Sequence, residues 1–259
     1  MPVVTNHVPG TFCWPELATT DHVGARKFYT ELFGWTYQDN PMGPDFVYTI
    51  FLNAGEQVAS LYKLMPDMIQ QGVPPNWASY VSCEDVDAST ARATALGATV
   101  VMPPMDVMEH GRMVVLRDPA GATVSLWQAK QNVGITRLGE PGSLGWTQLN
   151  ATDPDKAKAF YAALFQWTFR DEPSPMGTYT TFMKSDGPAA GMLPMPSGTG
   201  APSHWLVYWA VADVAMAYAK ATTLGAKSFV PPTDFGGGMM AVLADPQGAM
   251  FALVAFRQS

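Results

Sequence analysis

Glu16 is the side chain whose neighbours most suggest acid–base chemistry. It lies in the stretch 11–18, where strand alternation sets Trp14, Glu16 and Ala18 on one face. A carboxyl on an enclosed face beside an indole is pushed towards its protonated form and can act as a general base. The plainer role for it is structural, as a carboxyl hydrogen-bonded across a pseudo-twofold to Gln148 or to a tyrosine. His204 is the one histidine in a predicted strand. It could orient a ligand or pair with Glu16, or it could be a satisfied strand-end histidine. Acid–base work by Glu16, Tyr80, Tyr208 or His204 would suit a lyase, isomerase or hydroxylase.

Other reactive residue types carry less. His7 lies in the N-terminal tail and His22 at a helix start, where solvation is expected. His110 sits in a loop with Asp106, Glu109 and Arg112, which could form a polar lid; solvated loop charges are the simpler reading. Gly236-Gly-Gly238 would need a following helix N-terminus to cradle phosphate. A strand-like run follows instead, so the glycines read as a hinge. No nucleophile elbow is present, and Cys13 and Cys83 form no CxxC pair or disulfide framework. That cysteine usage suits a reducing, cytoplasmic setting.

The elements that must position these residues come in duplicate. Trp14-Pro-Glu-Leu-Ala-Thr-Thr-Asp21 returns as Trp146-Thr-Gln-Leu-Asn-Ala-Thr-Asp153, an offset of 132. Phe28-Tyr29 and Phe33-Gly-Trp35 return at the same offset, as Phe160-Tyr161 and Phe165-Gln-Trp167. Leu96-Gly-Ala98, Pro103-Pro104 and Asp118-Pro-Ala-Gly121 return at offsets of 128, 128 and 127. Each copy predicts a strand (11–18, 143–151) and then an amphipathic helix. Apolar Ala25, Phe28, Tyr29, Leu32 and Phe33, or Ala157, Phe160, Tyr161, Leu164 and Phe165, mark that helix. Asp21 and Asp153 are its N-caps, and Pro154 suits its first position. Further strands are predicted at 46–53 and 77–82, matched by 178–184 and 205–212. A second helix follows, at 85–96 or 213–224, ending at Gly97 or Gly225. Two final strands flank each Asp-Pro-x-Gly turn, whose residues read as turn chemistry. The linker is 130–142, short enough to hold the copies as one pseudo-twofold body.

Composition narrows the function. Hydrophobic residues make up 47% of the 259, which suits a well-buried core. Charged residues are only 14%, a scarcity that points weakly to a homodimer. The net charge of -7, without a basic run, argues against nucleic acid as a partner. No segment is long and apolar enough for a membrane helix, and residues 1–10 lack the pattern of a signal peptide. Sixteen methionines, Met102, Met105, Met108, Met239, Met240 and Met250 among them, would supply an adaptable apolar rim or ordinary core filling.

The succession of strand, capping Asp, Phe-Tyr helix, Phe-Gly-Trp, Leu-Gly-Ala and Asp-Pro-x-Gly resembles the vicinal oxygen chelate superfamily. That group contains glyoxalase I, bleomycin-resistance proteins and extradiol dioxygenases. The resemblance covers nearly the whole chain twice and is closest to tandem-module, glyoxalase-like bacterial proteins. It implies an α+β fold of two βαβββ modules in tandem, 1–133 and 134–259, forming a pseudo-twofold eight-stranded cup around a ligand. It is specific for fold and weak for function, because one fold hosts many chemistries.

Metal-using members place His, Gln or Glu seven residues before the capping Asp, and Glu seven residues after the Asp of the turn. Those positions here are Trp14, Trp146, Ser125 and Ala252, none of them a good ligand for a divalent ion. No cofactor is therefore expected; a divalent metal enters only if ligands are displaced, for instance to Glu16 with His204. If Trp14 faces the cup, alternation brings Glu16, Trp146, Gln148 and Asn150 with it. The last strands add Thr123, Ser125 and Trp127, or Met250, Ala252 and Val254. The middle strands add Asn76, Ala78 and Tyr80, or His204, Leu206 and Tyr208. Such a wall suits a small organic molecule. Three functions follow: a metal-free binder of an aromatic or amphipathic compound, an atypical enzyme of the same fold, or a metal-dependent glyoxalase or dioxygenase with displaced ligands.

Overall fold

The first helix shows how local sequence sets the frame. In the computed structural model, which describes residues 3–44, 46–174, 177–195, 198 and 200–257, strand β1 (Phe12–Thr19) leads into helix α1 (His22–Phe33). The Asp21 carboxylate accepts from the Gly24 N–H, and Gly34 closes the helix in the left-handed region at φ 73°. Ala25, Phe28, Tyr29 and Leu32 form its buried stripe. Strands β2 (Thr36–Pro41), β3 (Val47–Asn53) and β4 (Glu56–Lys63) follow, then short α2 (Pro66–Gln70). A second round consists of β5 (Asn76–Ser82), α3 (Val86–Ala95), β6 (Thr99–Val107), β7 (Gly111–Arg117) and β8 (Thr123–Ala129).

The second half repeats this order. It runs β9 (Leu144–Ala151), α4 (Pro154–Phe165), β10 (Thr168–Ser174), β11 (Gly177–Lys184) and β12 (Gly187–Pro194). Then come β13 (His204–Ala210), α5 (Val214–Thr223), β14 (Lys227–Asp234), β15 (Gly238–Ala244) and β16 (Met250–Phe256).

The α+β tandem fold is thus present, with one refinement of count. Each half already contains the βαβββ unit twice, so each forms its own eight-stranded sheet. The orders are β2-β3-β4-β1-β5-β8-β7-β6 and β10-β11-β12-β9-β13-β16-β15-β14. In each sheet the first strands of the two units meet antiparallel at the centre, as in the pairing of Trp14 with Tyr80. There are two cups, one per half. The shorter internal repeat is written in the second capping Asp, Asp85, and the second C-cap glycine, Gly97, but its strands share little sequence with the first unit.

The halves meet through aromatic residues. Tyr29 of α1 lies 5.2 Å from the Trp77 ring of β5 and 5.8 Å from Phe251 of β16, so α1 is packed between both sheets. The Tyr29 hydroxyl donates to Asp245 Oδ2 at 3.0 Å and accepts from Trp77 Nε1 at 2.9 Å. Asp245 begins the second Asp-Pro-x-Gly turn, and its Oδ1 accepts from the backbone N–H of Gln247 and Ala249. The turn chemistry expected for this motif is present, and it also docks one half on the other.

The segment between the sheets is built in rather than slack. Ile135 is fully buried, its N–H donating to Cys13 O at 2.8 Å. Gly134 has φ 109°, and a Cβ there would stand 2.3 Å from Cys13 O. Gly134→Ala is therefore expected to destabilise by about 1–3 kcal/mol, read as a lowered urea midpoint with unchanged slope. His7 closes on this segment. It is buried, against the expectation of a solvated tail, with Nε2 2.8 Å from Ile135 O. His22 likewise departs from solvation, its Nε2 2.8 Å from Thr49 Oγ1. Among the described residues, no helix is long and apolar enough to cross a membrane.

Candidate functional site

The sheet faces that carry Glu16 and Gln148 differ in chemistry. In the first half, register places Ser60 of β4 and Ala78 of β5 beside Glu16, and Ser125 of β8 beside Tyr80. Glu16 therefore sits at the middle of four adjacent strands. Its Oε1 accepts from the Tyr48 hydroxyl at 2.6 Å and faces Ser60 Oγ at 3.5 Å. Its Oε2 accepts from the Tyr80 hydroxyl at 2.9 Å. Tyr48 is held in turn by Trp14 Nε1, which donates to its oxygen at 3.1 Å. The Trp127 ring stands 6.4 Å from that of Tyr80, its indole N–H donating to Asn132 O. Glu16 is thus hydrogen-bonded, but to tyrosines of its own sheet and not to a partner across the pseudo-twofold.

Burial is the largest influence on Glu16 and raises its pKa; the bonds from Tyr48, Tyr80 and Ser60 pull the other way without cancelling it. Burial and then the Glu16 charge push Tyr48 and Tyr80 well above the usual phenol value. The folded protein holds the Glu16 proton to higher pH than the unfolded chain does. Its contribution to stability is fullest in acid and is lost as pH rises from the ordinary carboxylate range through the raised folded value. Glutamine cannot ionise and carries no such loss. The stability of Glu16→Gln relative to the parent should therefore shift in favour of the variant as pH rises above the ordinary carboxylate range, about 4, measured by denaturation at stepped pH. A difference that stays flat with pH would contradict the assignment.

The second cup is apolar at its centre. Leu206, Tyr208, Val242, Ala252 and Val254 form a separate buried cluster, with Trp146 and Met250 packed on it. Trp146 Nε1 donates to Tyr179 at 2.9 Å, as Trp14 does to Tyr48. Gln148, where the first cup has Glu16, donates to Asn150 Oδ1 at 3.0 Å. Asn150 Nδ2 lies 3.1 Å from His204 Nε2, and His204 Nδ1 lies 3.0 Å from Pro202 O. With a proton on Nδ1, the ring donates to Pro202 O and its Nε2 accepts from Asn150 Nδ2.

The residues singled out from sequence therefore divide. Trp14, Glu16, Tyr80, Ser125 and Trp127 belong to one sheet, and Trp146, Gln148, Asn150, His204 and Tyr208 to the other. Glu16 and His204 do not meet, which removes the pairing entertained for acid–base work or a displaced metal site. The reason is the doubled module count: each half closes its own cup. Tyr48, Ser60 and Tyr62 were not anticipated as cup residues. Alternation in the predicted strand 46–53 could have found Tyr48, whereas Ser60 and Tyr62 lie on a strand that was not foreseen. The loop with His110 is no lid: Arg112 is turned to α3, with Nε 2.8 Å from Asp87. Gly236-Gly-Gly238 forms the β14–β15 turn, where Arg257 donates to Gly236 O at 2.7 Å.

Neither cup offers donors that fit a divalent ion. The first presents a single carboxyl, two neutral serines and an indole, too few anionic or imidazole donors for a divalent ion. The second presents Gln148, Asn150, Tyr208, Ala252 and Trp146, with His204 as its single imidazole and no carboxylate among them. Among the described residues, no group of three or more His, Cys, Asp and Glu could hold a metal.

Comparison with known proteins gives this arrangement its context. CFP32 of Mycobacterium tuberculosis (strain CDC 1551 / Oshkosh), a glyoxylase by name, is 40% identical over 256 residues, 98% of each chain. The anthracycline biosynthesis protein DnrV of Streptomyces peucetius is 33% identical, over 98% of this chain and 96% of its own. In fold, the 2,3-dioxygenase LapB from Pseudomonas sp. KL28 superposes with a TM-score of 0.65 at 13% identity, covering 96% of this chain and 93% of LapB. The Mn(II)-bound glyoxalase from Novosphingobium aromaticivorans gives 0.66 at 14%, covering 95% and 82%. The family model for the Glyoxalase/Bleomycin resistance protein/Dioxygenase superfamily matches twice, at residues 11–126 and 143–253, the two stretches that form the two sheets. The chain belongs to that superfamily.

Proposed function

We propose that the cup of the first half binds a small aromatic or amphipathic organic molecule and does so without a divalent ion. The observation that carries this reading is Glu16, held between Tyr48 and Tyr80 where four strands converge and where a metal-using cup needs several anionic or imidazole donors. The walls are aromatic with a few fixed polar groups, the makeup of an organic-ligand site. A relative named for anthracycline biosynthesis makes a planar aromatic compound a sensible first probe.

Ala78 gives a direct test. It pairs with Glu16 across β1 and β5 and is only half-buried, so an indole there would extend into the cup with little overpacking of the core. Ala78→Trp is expected to fold with the parent's circular dichroism and to lose at least about tenfold in affinity for an anthracycline, roughly 1.4 kcal/mol. Equal affinity in parent and variant would place binding elsewhere.

A second reading is acid–base catalysis by Glu16, favoured by its raised pKa and its two phenol partners. The readings separate by mass spectrometry of the compound after incubation: binding returns it unchanged, whereas catalysis returns a product whose formation follows the titration of Glu16.

A further inference from the structure

Glu16 has no counter-charge. Its polar contacts are two phenols and one serine hydroxyl, and no lysine, arginine or histidine forms an ion pair with it among the described residues. The groups facing it from neighbouring strands are Tyr48 of β3, Ser60 and Tyr62 of β4, and Tyr80 of β5. The three phenols are pushed above their ordinary value, so below about pH 9 Glu16 is the one group of this set that changes charge. Each carboxylate oxygen accepts one phenol proton and retains acceptor capacity. The surrounding side chains are aromatic: Trp14, Tyr48, Tyr62, Tyr80 and Trp127, with the Tyr48 and Tyr80 hydroxyls turned to the carboxylate.

A partly enclosed carboxylate without a cation, lined by aromatic rings, matches one ligand chemistry. An organic ammonium ion supplies the missing charge to the carboxylate and is attracted by aromatic rings. A neutral ligand would leave the carboxyl to its phenols, and an anion would be repelled.

Resting on the reading that this cup is the ligand site, we propose that its ligand carries a protonated or quaternary amine on an aromatic body, with the amine seated on Glu16. Binding of the cation favours the ionised carboxyl, so the complex forms with release of a proton from Glu16. The proton passes to solvent and no covalent bond changes.

The test uses a matched pair of probes, naphthylmethylammonium and neutral naphthylmethanol, titrated calorimetrically into the whole protein in buffers of different ionisation enthalpy. The expected result is at least about tenfold tighter binding of the ammonium probe, with proton release that falls away as pH rises past the Glu16 titration. Preference and proton release should both vanish in Glu16→Gln. If that variant folds poorly, the same preference lost in the parent at acid pH, where Glu16 is protonated, serves in its place. Equal or tighter binding of naphthylmethanol, still abolished by Ala78→Trp, would overturn the amine and leave the cup standing as the site. Binding of both probes unchanged by Ala78→Trp, or binding of neither at millimolar concentration, would overturn both.

Discussion

Trp209→Ala is expected to lower the unfolding free energy by about 3–5 kcal/mol, the range for deleting a large aromatic side chain from a packed interior. Trp209 belongs to β13 of the second half, is fully buried, and packs against rings of the first half. Its ring centroid is 5.0 Å from Trp35, 5.0 Å from Trp77 and 5.8 Å from Phe33. The neighbouring rings are themselves tied down: Trp35 Nε1 donates to Gly142 O at 2.8 Å, and Trp77 Nε1 donates to Tyr29. They cannot collapse freely into the space an alanine leaves, so the cavity term adds to the lost transfer energy. Because these contacts join the halves, the variant should also broaden the urea transition, as unfolding ceases to be all-or-none. A loss below about 1.5 kcal/mol with an unchanged slope would mean that the halves are held by something else.

Asp245→Ala should cost about 3 kcal/mol or more, since each buried donor left without a partner costs roughly 1–3 kcal/mol. The carboxylate is 3% exposed and serves three donors. The Gln247 and Ala249 N–H groups reach Oδ1 at 3.0 and 2.8 Å, and the Tyr29 hydroxyl reaches Oδ2 at 3.0 Å. Asp245→Asn retains an acceptor for the turn and should cost less. Tyr29→Phe removes the donor that Asp245→Ala strands, so the two changes together should cost less than their sum. Chemical denaturation of the four members of that cycle measures the coupling. Strict additivity would separate the turn from the interface.

Much of this frame is legible in the residues. The capping Asp, the apolar stripe of α1 and the Asp-Pro-x-Gly turns announce themselves because caps, amphipathic helices and turns are set by local chemistry. The two family matches coincide with the duplication that the 132-residue offset reveals. What escapes is the doubling inside each half. Strand β2 reads Thr-Tyr-Gln-Asp-Asn-Pro and is almost wholly exposed, and β6 is exposed and carries Pro103-Pro104. Edge strands bury neither face, so they leave no alternation to read, and proline further disguises them. With those edge strands and the inner strand β4 unseen, four βαβββ units pass for two, and Glu16 and His204 fall into one imagined cup.

The candidate site is legible in part for a related reason. Glu16 stands out because a carboxylate between apolar neighbours on a strand is rare in sequence. Tyr80 follows from alternation in the strand 77–82, but Tyr48 does not, because phase alone cannot say which strand of a sheet lies next to which. Tyr48 pairs with Tyr62 of β4 while Glu16 pairs with Ser60, so Tyr48 reaches Glu16 on a diagonal across β4. That adjacency is a product of topology.

Manganese binding tests the central claim most directly. Mn(II) titrated into the intact protein and followed by electron paramagnetic resonance reports free and bound ion separately. The account predicts that signal loss at up to millimolar protein stays at the level of weak, non-stoichiometric surface binding and is the same in Glu16→Gln. One tightly held ion per chain, released by that substitution, would contradict it.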